Sequence, residues 1–545
     1  MAEDGSIIEQ METAANSAVR SLATQPDNLR AVGEVLDRMT TIQERIGDEF
    51  SLVQDEVEFW ETLWRQIDRL RDQWCRIERT ATRIGKDVLA KLSPTLDEQR
   101  RKLYHWSRRF ICEHAPRVPE TAHFELGIDH RRSDYRELHE RIEGLFESIK
   151  RTGRLPTIGE GAALPTNRVN VAVIYGGGWN VSAYSILRTA DEVPQINALV
   201  AFDHPGPTLY ARIGERTVRL ATAGLIRRNS NEDYLLASFR EPVVVHFACP
   251  HQWTGPPAHE LGLPILRSQL TLDIVNDKAV TNQALAWYAR TQKADLPLIR
   301  EWTITRPEIP VDLDLITDKA RKGLDHFRNL GIDRVVVKPC ERSEEQGIRF
   351  FDLRTDYPAA IEHAVLLLLE SNIVIQEQII PPGDDDFTWR VFVALGQNGE
   401  PEPTGRFARV GHSRDMTFVA GSQILARCGM TGTQGNTLLD RLDKVSTDAF
   451  RAIAAFAAWR NPEFPWRPLG GGSYAVPYFL GVDLIGDAML IEVNGHEVAG
   501  MWTDDRLYPE TRGRTFRPVL QSALRAGKAY KTIIESKSTG IQAPT

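Results

Sequence analysis

Cysteine is scarce and scattered in this chain. Its five cysteines (Cys75, Cys112, Cys249, Cys340 and Cys428) are odd in number and form no Cys-x-x-Cys pair or Cys/His cluster. That excludes a disulfide framework and offers no ligand set for structural zinc. A basic excess is missing too: 66 Lys and Arg face 74 Asp and Glu, a net charge of −8. Nucleic-acid binders carry clustered positive charge, so no nucleic-acid partner is expected. Long apolar runs are absent. The longest, AVLLLLE at 364–370, falls far short of the ~20 residues that span a bilayer. The opening MAEDGSIIEQ is acidic and lacks an apolar signal core. No membrane association, reduced thiols and a cytoplasmic location are therefore expected. Neither a Ser/His/Asp nor a Cys/His catalytic signature is present, and no internal repeat or low-complexity tract stands out.

What is present is an ordinary globular composition, with 42% hydrophobic and 26% charged residues over 545 positions. Single cores stop growing near ~250–300 residues, so several domains are expected in a mixed α+β and α/β architecture. From about 28 to 114 the pattern is helical, with apolar positions such as Met39, Ile42, Ile46, Trp60, Trp64, Leu70, Trp74 and Ile77 on one stripe. Leu92-Ser93-Pro94 is expected to break the run. A helical domain over 1–152 follows, whose stripe is covered by its own bundle, by a second copy or by a protein partner. The stretch 153–168, rich in Gly, Pro and Thr, reads as a linker. Beyond it, strands at 169–175, 198–202 and 243–247 alternate with helical patterns, implying a small parallel α/β domain over 169–270. A third region, 271–370, has a helix around Asn276-Asp277-Lys278, a strand at 334–338 and a helix near 358–370. A strand-rich region, 371–535, has strands at 373–380, 389–395 and 405–410, a helix at 446–460 and a final strand pair. Residues 536–545 read as a tail.

The chemistry concentrates in GVDLIGDAMLIEVNG at 481–495. Read as a hairpin turning at Gly486-Asp487, it sets Ile485 opposite Ala488 and Asp483 opposite Leu490. Side chains alternate along strands, so Asp483, Glu492 and Asn494 share one face. Val482, Leu484, Met489, Ile491 and Val493 share the other. Three oxygen-bearing side chains over an apolar backing suit a hard cation such as magnesium, which also draws ligands from substrate phosphates. A merely solvated sheet face would look the same, and an odd-length turn would flip the register.

This hairpin resembles the end of an ATP-grasp domain, and is particularly similar to the matching segment of bacterial glutathione synthetase; D-alanine–D-alanine ligase-like proteins are the other near relatives. Other landmarks of the superfamily follow in order. Asn276-Asp277-Lys278 resembles its first phosphate-gripping lysine, and Val335-Val336-Val337-Lys338-Pro339 its second. NIVIQEQII at 372–380 resembles the strand leading to the adenine-binding linker. The resemblance implies that backbone groups around Gln376, Glu377, Gln378 and Ile379 read the base. It further implies Glu377 at the amino group, Asp386 at the ribose, and metal ligation by Asp483, Glu492 and Asn494. Arg390 and Arg409 are then the catalytic arginines, with Ala408-Arg409-Val410 resembling the glutathione synthetase pattern. Neutralising a triphosphate requires such cations, although each taken alone reads more readily as a solvated surface residue.

Three departures are visible. The stretch 340–347 has a single glycine where many members carry a glycine-rich flap. Gly481 stands where D-alanine–D-alanine ligases have arginine. The substrate-side loop after Asn494 is about two residues longer. The domain at 169–270 resembles the pre-ATP-grasp domain. Its Gly176–Ser182 stretch is not G-x-G-x-x-G and reads as a tight turn, a substrate-carboxylate contact or, weakly, a dinucleotide site. His246 and His251 are assigned no role.

The resemblance therefore implies an ADP-forming carboxylate–amine ligase working through an acylphosphate. Its cofactors are ATP and two magnesium ions, with manganese able to substitute, and its substrates a small carboxylate and an amine. The alternatives are a ligase acting on a protein or peptide, with the helical domain as docking platform, a kinase of the same fold, and a non-catalytic nucleotide-binding scaffold. A homodimer or a protein partner through the helical domain is a further expectation.

Overall fold

A computed structural model describes residues 7–45, 58–114, 168–176, 193–203, 210–213, 216–219, 223–227, 234–238, 244–247, 269–341, 347–381, 387–396, 399–411, 417–430, 432–460, 479–495 and short stretches between 517 and 528. Asp386, His251, Gly177–Ser182, most of the expected linker and flap, and the expected tail lie outside the described residues.

Among the described residues, four helices form the N-terminal bundle: α1 (Ile7–Thr24), α2 (Leu29–Glu44), α3 (Glu58–Ile84) and α4 (Lys86–His114). α1 belongs to no stripe read from the sequence, yet it buries Met11, Ala15, Ala18, Val19 and Leu22 completely. Its buried face alternates the larger Ile8, Met11, Val19 and Leu22 with Ala14, Ala15, Ala18 and Ala23, which let the neighbouring helices approach closely. The break expected at Pro94 lies instead at Gly85, whose φ of +154° is one that residues with a Cβ rarely adopt. Pro94 sits inside α4 on an exposed position, where water can satisfy the carbonyl that its ring leaves without a donor. The bundle core contains polar contacts as well. The Trp74 indole donates to Gln43 Oε1 at 2.6 Å, and Gln43 donates to the Gln99 carbonyl at 3.2 Å.

The bundle is bonded to the rest of the chain. Arg76, 4% exposed, donates to both oxygens of the equally buried Glu370, to Gln73 Oε1 at 2.5 Å and to Asn16 Oδ1. Burial lowers the Arg76 pKa, and Asp72 and Glu12 partly offset this. Arg83 pairs with Glu341 at 3.2 Å, and the Val311 N–H donates to the Ala23 carbonyl at 3.1 Å.

The next sheet has the order β6-β5-β2-β1-β7, from β1 (Val169–Gly176), β2 (Ile196–Asp203), β5 (Ala223–Arg227), β6 (Tyr234–Ser238) and β7 (Val244–Phe247); β3 (Tyr210–Ile213) pairs only with β4 (Arg216–Arg219). β1 is parallel to β2 and β7, as expected, but β5 runs antiparallel to both β2 and β6. The sheet is therefore mixed, not purely parallel. The connection from β5 to β6 is too short for a crossover and permits only a hairpin.

Two further sheets frame the site. One, ordered β10-β9-β11-β8, contains β8 (Glu301–Ile304), β9 (Arg334–Pro339), β10 (Arg349–Asp352) and β11 (Ile373–Glu377). It is backed by α7 (Leu313–Asn329) and α8 (Tyr357–Leu368). The other, ordered β14-β13-β12-β15-β16, contains β12 (Phe387–Leu395), β13 (Pro401–Val410), β14 (Thr417–Ala420), β15 (Phe479–Ile485) and β16 (Met489–Asn494). α10 (Thr433–Arg460), preceded by α9 (Gly421–Arg427), covers its apolar face. The helix around 276–278 is in fact two, α5 (Gln269–Val275) and α6 (Lys278–Gln292), because Asp277 caps the second: its Oδ1 accepts from the N–H groups of Ala279 and Val280 at 2.8 and 3.3 Å. Among the described residues no helix is long and apolar enough to cross a membrane.

Candidate functional site

The 481–494 hairpin reaches its expected face by an unexpected route. The turn is three residues, Gly486-Asp487-Ala488, so Ile485 opposes Met489 and Leu484 opposes Leu490. An odd turn alone would invert the face of β16. A bulge between Asp483 and Leu484 takes up one residue and restores it, so Asp483 lies directly opposite Glu492 and Gly481 opposite Asn494. The apolar face is corrected accordingly: Leu490 joins Val482, Leu484 and Val493, while Met489 lies opposite Ile485. Gly486, at φ +57°, makes the turn possible, and a Cβ there would rest 3.5 Å from Ile379.

Strand pairing extends the polar row. Arg390 in β12 opposes Asp483, and its guanidinium grips both carboxylate oxygens at 2.6 Å. This pair is almost fully buried. Arg409 in β13, on the same face, reaches Asp483 Oδ2 at 3.3 Å. Arg406, of opposite parity, turns to the back of the sheet and pairs with Asp443 of α10. Asn494 donates its amide to Asp483 and Glu492 at 3.4 and 3.3 Å.

The two lysines arrive from the other side. Lys278 opens α6, and its Nζ lies 3.7 Å from Glu492 Oε2, while its N–H donates to the Cys340 carbonyl at 2.9 Å. That hydrogen bond ties the start of α6 to the end of the strand that carries Lys338. Lys338 opposes Val374, which places it diagonally beside Gln376 on one face, and its buried ammonium donates to Gln376 Oε1 at 2.7 Å. Burial pushes the Lys338 pKa down to about 8, against the attraction of Glu492. Burial alone would raise Glu492. The combined field of Lys278, Lys338, Arg390 and Arg409 outweighs it and holds Glu492 at about 2.

Four cations thus surround two carboxylates, a surplus of two positive charges in a largely desolvated recess. Such an excess favours a polyanion. The oxygen donors suit a hard cation, since Asp483 and Glu492 are paired across strands with the Asn494 amide beside them. Among the described residues no group of three or more His, Cys, Asp or Glu is placed to hold a metal, so the amide oxygen must complete the set, with the Asn494 side chain turned over. Magnesium there would further require the Asp483 oxygens, now held by Arg390 and Arg409, to turn toward the ion.

The expected adenine segment is partly committed already. The Glu377 N–H donates to the Arg300 carbonyl and the Gln378 N–H to the Arg334 carbonyl, both at 3.0 Å. The Glu377 carboxylate lies 3.9 Å from Arg300. Ile379 packs toward the hairpin turn. The Gln376 side chain serves Lys338. Two residues absent from the sequence reading also reach the site. Glu301, which opposes Gln376 across β8 and β11, accepts from Gln376 Nε2 at 3.5 Å and from Asn282 Nδ2. Burial raises the Glu301 pKa to about 7, with Lys338 and Gln376 opposing. Glu301 carries no local signal and is brought in by the pairing of β8 with β11, whereas Asn282 lies four residues after Lys278 on α6, a helical spacing that could have found it.

No family model matches the chain, and no curated protein matches it. Among solved structures it is similar to the VanG D-Ala:D-Ser ligase from Enterococcus faecalis, at 12% identity and TM-score 0.41 over 66% of this chain and 99% of that one. It is also similar to D-alanyl-alanine synthetase A from Vibrio cholerae, at 14% identity and TM-score 0.40 over 67% and 99%. A third is the RimK domain protein ATP-grasp from Sphaerobacter thermophilus, at 12% identity and TM-score 0.34 over 66% and 99%.

Proposed function

We propose that the protein is an ATP-grasp ligase that joins a carboxylic acid to an amine, with ATP converted to ADP and phosphate. The observation that carries this reading is the cationic surplus of Lys278, Lys338, Arg390 and Arg409 around Asp483 and Glu492. A triphosphate brings about four negative charges, of which this surplus of two would offset half, leaving the rest for bound metal.

In the first step a carboxylate oxygen of the acid forms a bond to the γ-phosphorus, and the bond from that phosphorus to the β–γ bridging oxygen breaks, releasing ADP. Lys278 and Lys338 hold the phosphates against mutual repulsion. Arg390 and Arg409 face the charge that develops on the transferring group. In the second step the amine attacks the acyl carbon, the carbon–oxygen bond to phosphate breaks, and the nitrogen loses a proton as the amide forms. Arg390 and Arg409 would then steady the tetrahedral oxyanion. Asp483, Glu492 and Asn494 would hold magnesium, which when bound would supply charge neutralisation for the phosphates. No protein nucleophile is required.

The test is ATP turnover by the full chain with magnesium, over pooled carboxylic acids with and without amines. ADP and free phosphate in equal amounts, dependent on one acid pool and one amine and lost in E492A, are expected. ADP without free phosphate would point to a kinase, and no turnover or nucleotide binding under any pool would overturn the reading.

A further inference from the structure

Lys338 is buried, and the acceptor that receives its ammonium is an amide oxygen, that of Gln376. An amide has two ends, and turned over it would present an NH2 group to the lysine instead of an acceptor. Glu301 removes that choice. It takes the Gln376 Nε2 hydrogen at 3.5 Å, which leaves Oε1 for Lys338 at 2.7 Å. The three side chains sit in a row on one face of β9, β11 and β8.

The same carboxylate accepts from Asn282 of α6. Asn282 lies one turn after Lys278, and residues four apart share a helix face. Glu301 is therefore linked to both lysines, to Lys338 through Gln376 and to Lys278 through the helix that carries it. Its hydrogen-bond partners, Gln376 and Asn282, are both neutral amides. A partly buried carboxylate in such company is unfavourable unless its position matters.

We propose that Glu301 is a positioning residue for the phosphate-gripping lysines, fixing the Gln376 amide so that Lys338 is aimed into the site and anchoring α6 so that Lys278 faces it. This rests on the nucleotide reading above. Glu301 touches neither phosphate nor metal ligand and acts through the two amides.

The experiment compares wild type with E301Q, E301M, Q376M and E301M/Q376M by calorimetric titration with ATP, inorganic tripolyphosphate and adenosine. E301Q keeps an acceptor oxygen and is expected to bind all three as wild type does. E301M has similar length and no strong acceptor, so it loses about tenfold in affinity for ATP and tripolyphosphate while adenosine is unaffected. Q376M gives a selective loss no larger than that of E301M, because it breaks only the arm to Lys338, and the double variant is no worse than E301M alone. Should E301M fail to fold, E301Q against Q376M carries the comparison, the first retaining and the second losing phosphate affinity. Unchanged ATP binding in E301M, equal losses for ATP and adenosine, or additive losses in the double variant would overturn the proposal. Wild type that binds neither ATP nor tripolyphosphate would overturn the ligase reading, and this inference with it.

Discussion

Replacing Arg76 by methionine is the sharpest test of how the helical bundle is joined to the rest of the chain. Arg76 and Glu370 are both about 4% exposed, and the guanidinium meets both carboxylate oxygens. R76M leaves Glu370 buried beside Ser371 with its cation gone, and it orphans the oxygens of Gln73 and Asn16. Removing one partner of a buried pair costs about 3–5 kcal/mol, because the remaining charge stays desolvated. E370Q keeps the shape and one acceptor, and its loss should be nearer ~1–3 kcal/mol. The double variant R76M/E370M removes both charges and replaces them with apolar volume, so it should recover most of the R76M loss. With E370M as the remaining corner, a double-mutant cycle in urea, followed by far-UV circular dichroism, should therefore show a coupling of roughly 2–3 kcal/mol. R76M within about 0.5 kcal/mol of wild type would refute this, since the bundle would then be held by its other contacts alone.

Other expectations are narrower. Burial holds Lys338 at about 8, so ATP affinity measured by calorimetry should fall as pH rises above 8 and the ammonium is lost; K338R should flatten that decline. For Glu301 the folded pKa of about 7 lies above the ordinary 4.5, so the folded state holds the proton more tightly. The stability this contributes is complete below pH 4.5 and lost as pH rises to 7; E301Q should remove that slope from urea midpoints. At Gly495, beside Asn494, a Cβ would lie 2.4 Å from Val275 Cγ2. Valine is stiff at χ1, so G495A should destabilise by about 1–3 kcal/mol, and V275A should restore much of it in the same denaturation assay.

The parts of the fold legible in the sequence are those with strong local signals. Lys338 ends a run of valines and Lys278 follows an asparagine–aspartate pair, and Asp277 does cap the helix there. The hairpin polar face was legible because alternation is robust, but its register was not. Neither the three-residue turn nor the bulge has a local sequence mark. Each shifts the pairing by one residue in the same direction, and their even sum left Asp483, Glu492 and Asn494 on one face with Glu492, not Leu490, opposite Asp483. α1 was legible by the same rule, since Ile8, Met11, Ala15, Val19 and Leu22 recur three or four apart, yet it precedes the stripe read from residue 28. Pro94 misled because a proline on an exposed helix face is tolerable, while Gly85 carried the break. Glu301 escaped for another reason: its contacts join strands and a helix that no local pattern connects.

The central claim is that Lys278, Lys338, Arg390 and Arg409 form one polyanion site with the Asp483–Glu492 face. The most direct measurement is calorimetric titration of the full chain with ATP, with and without magnesium, for wild type, K338M and E492Q. Saturable binding at one site per chain, tighter with magnesium, lost in K338M and stripped of its magnesium dependence in E492Q, is the predicted result. No ATP binding by folded wild type, or binding indifferent to both substitutions, would contradict it.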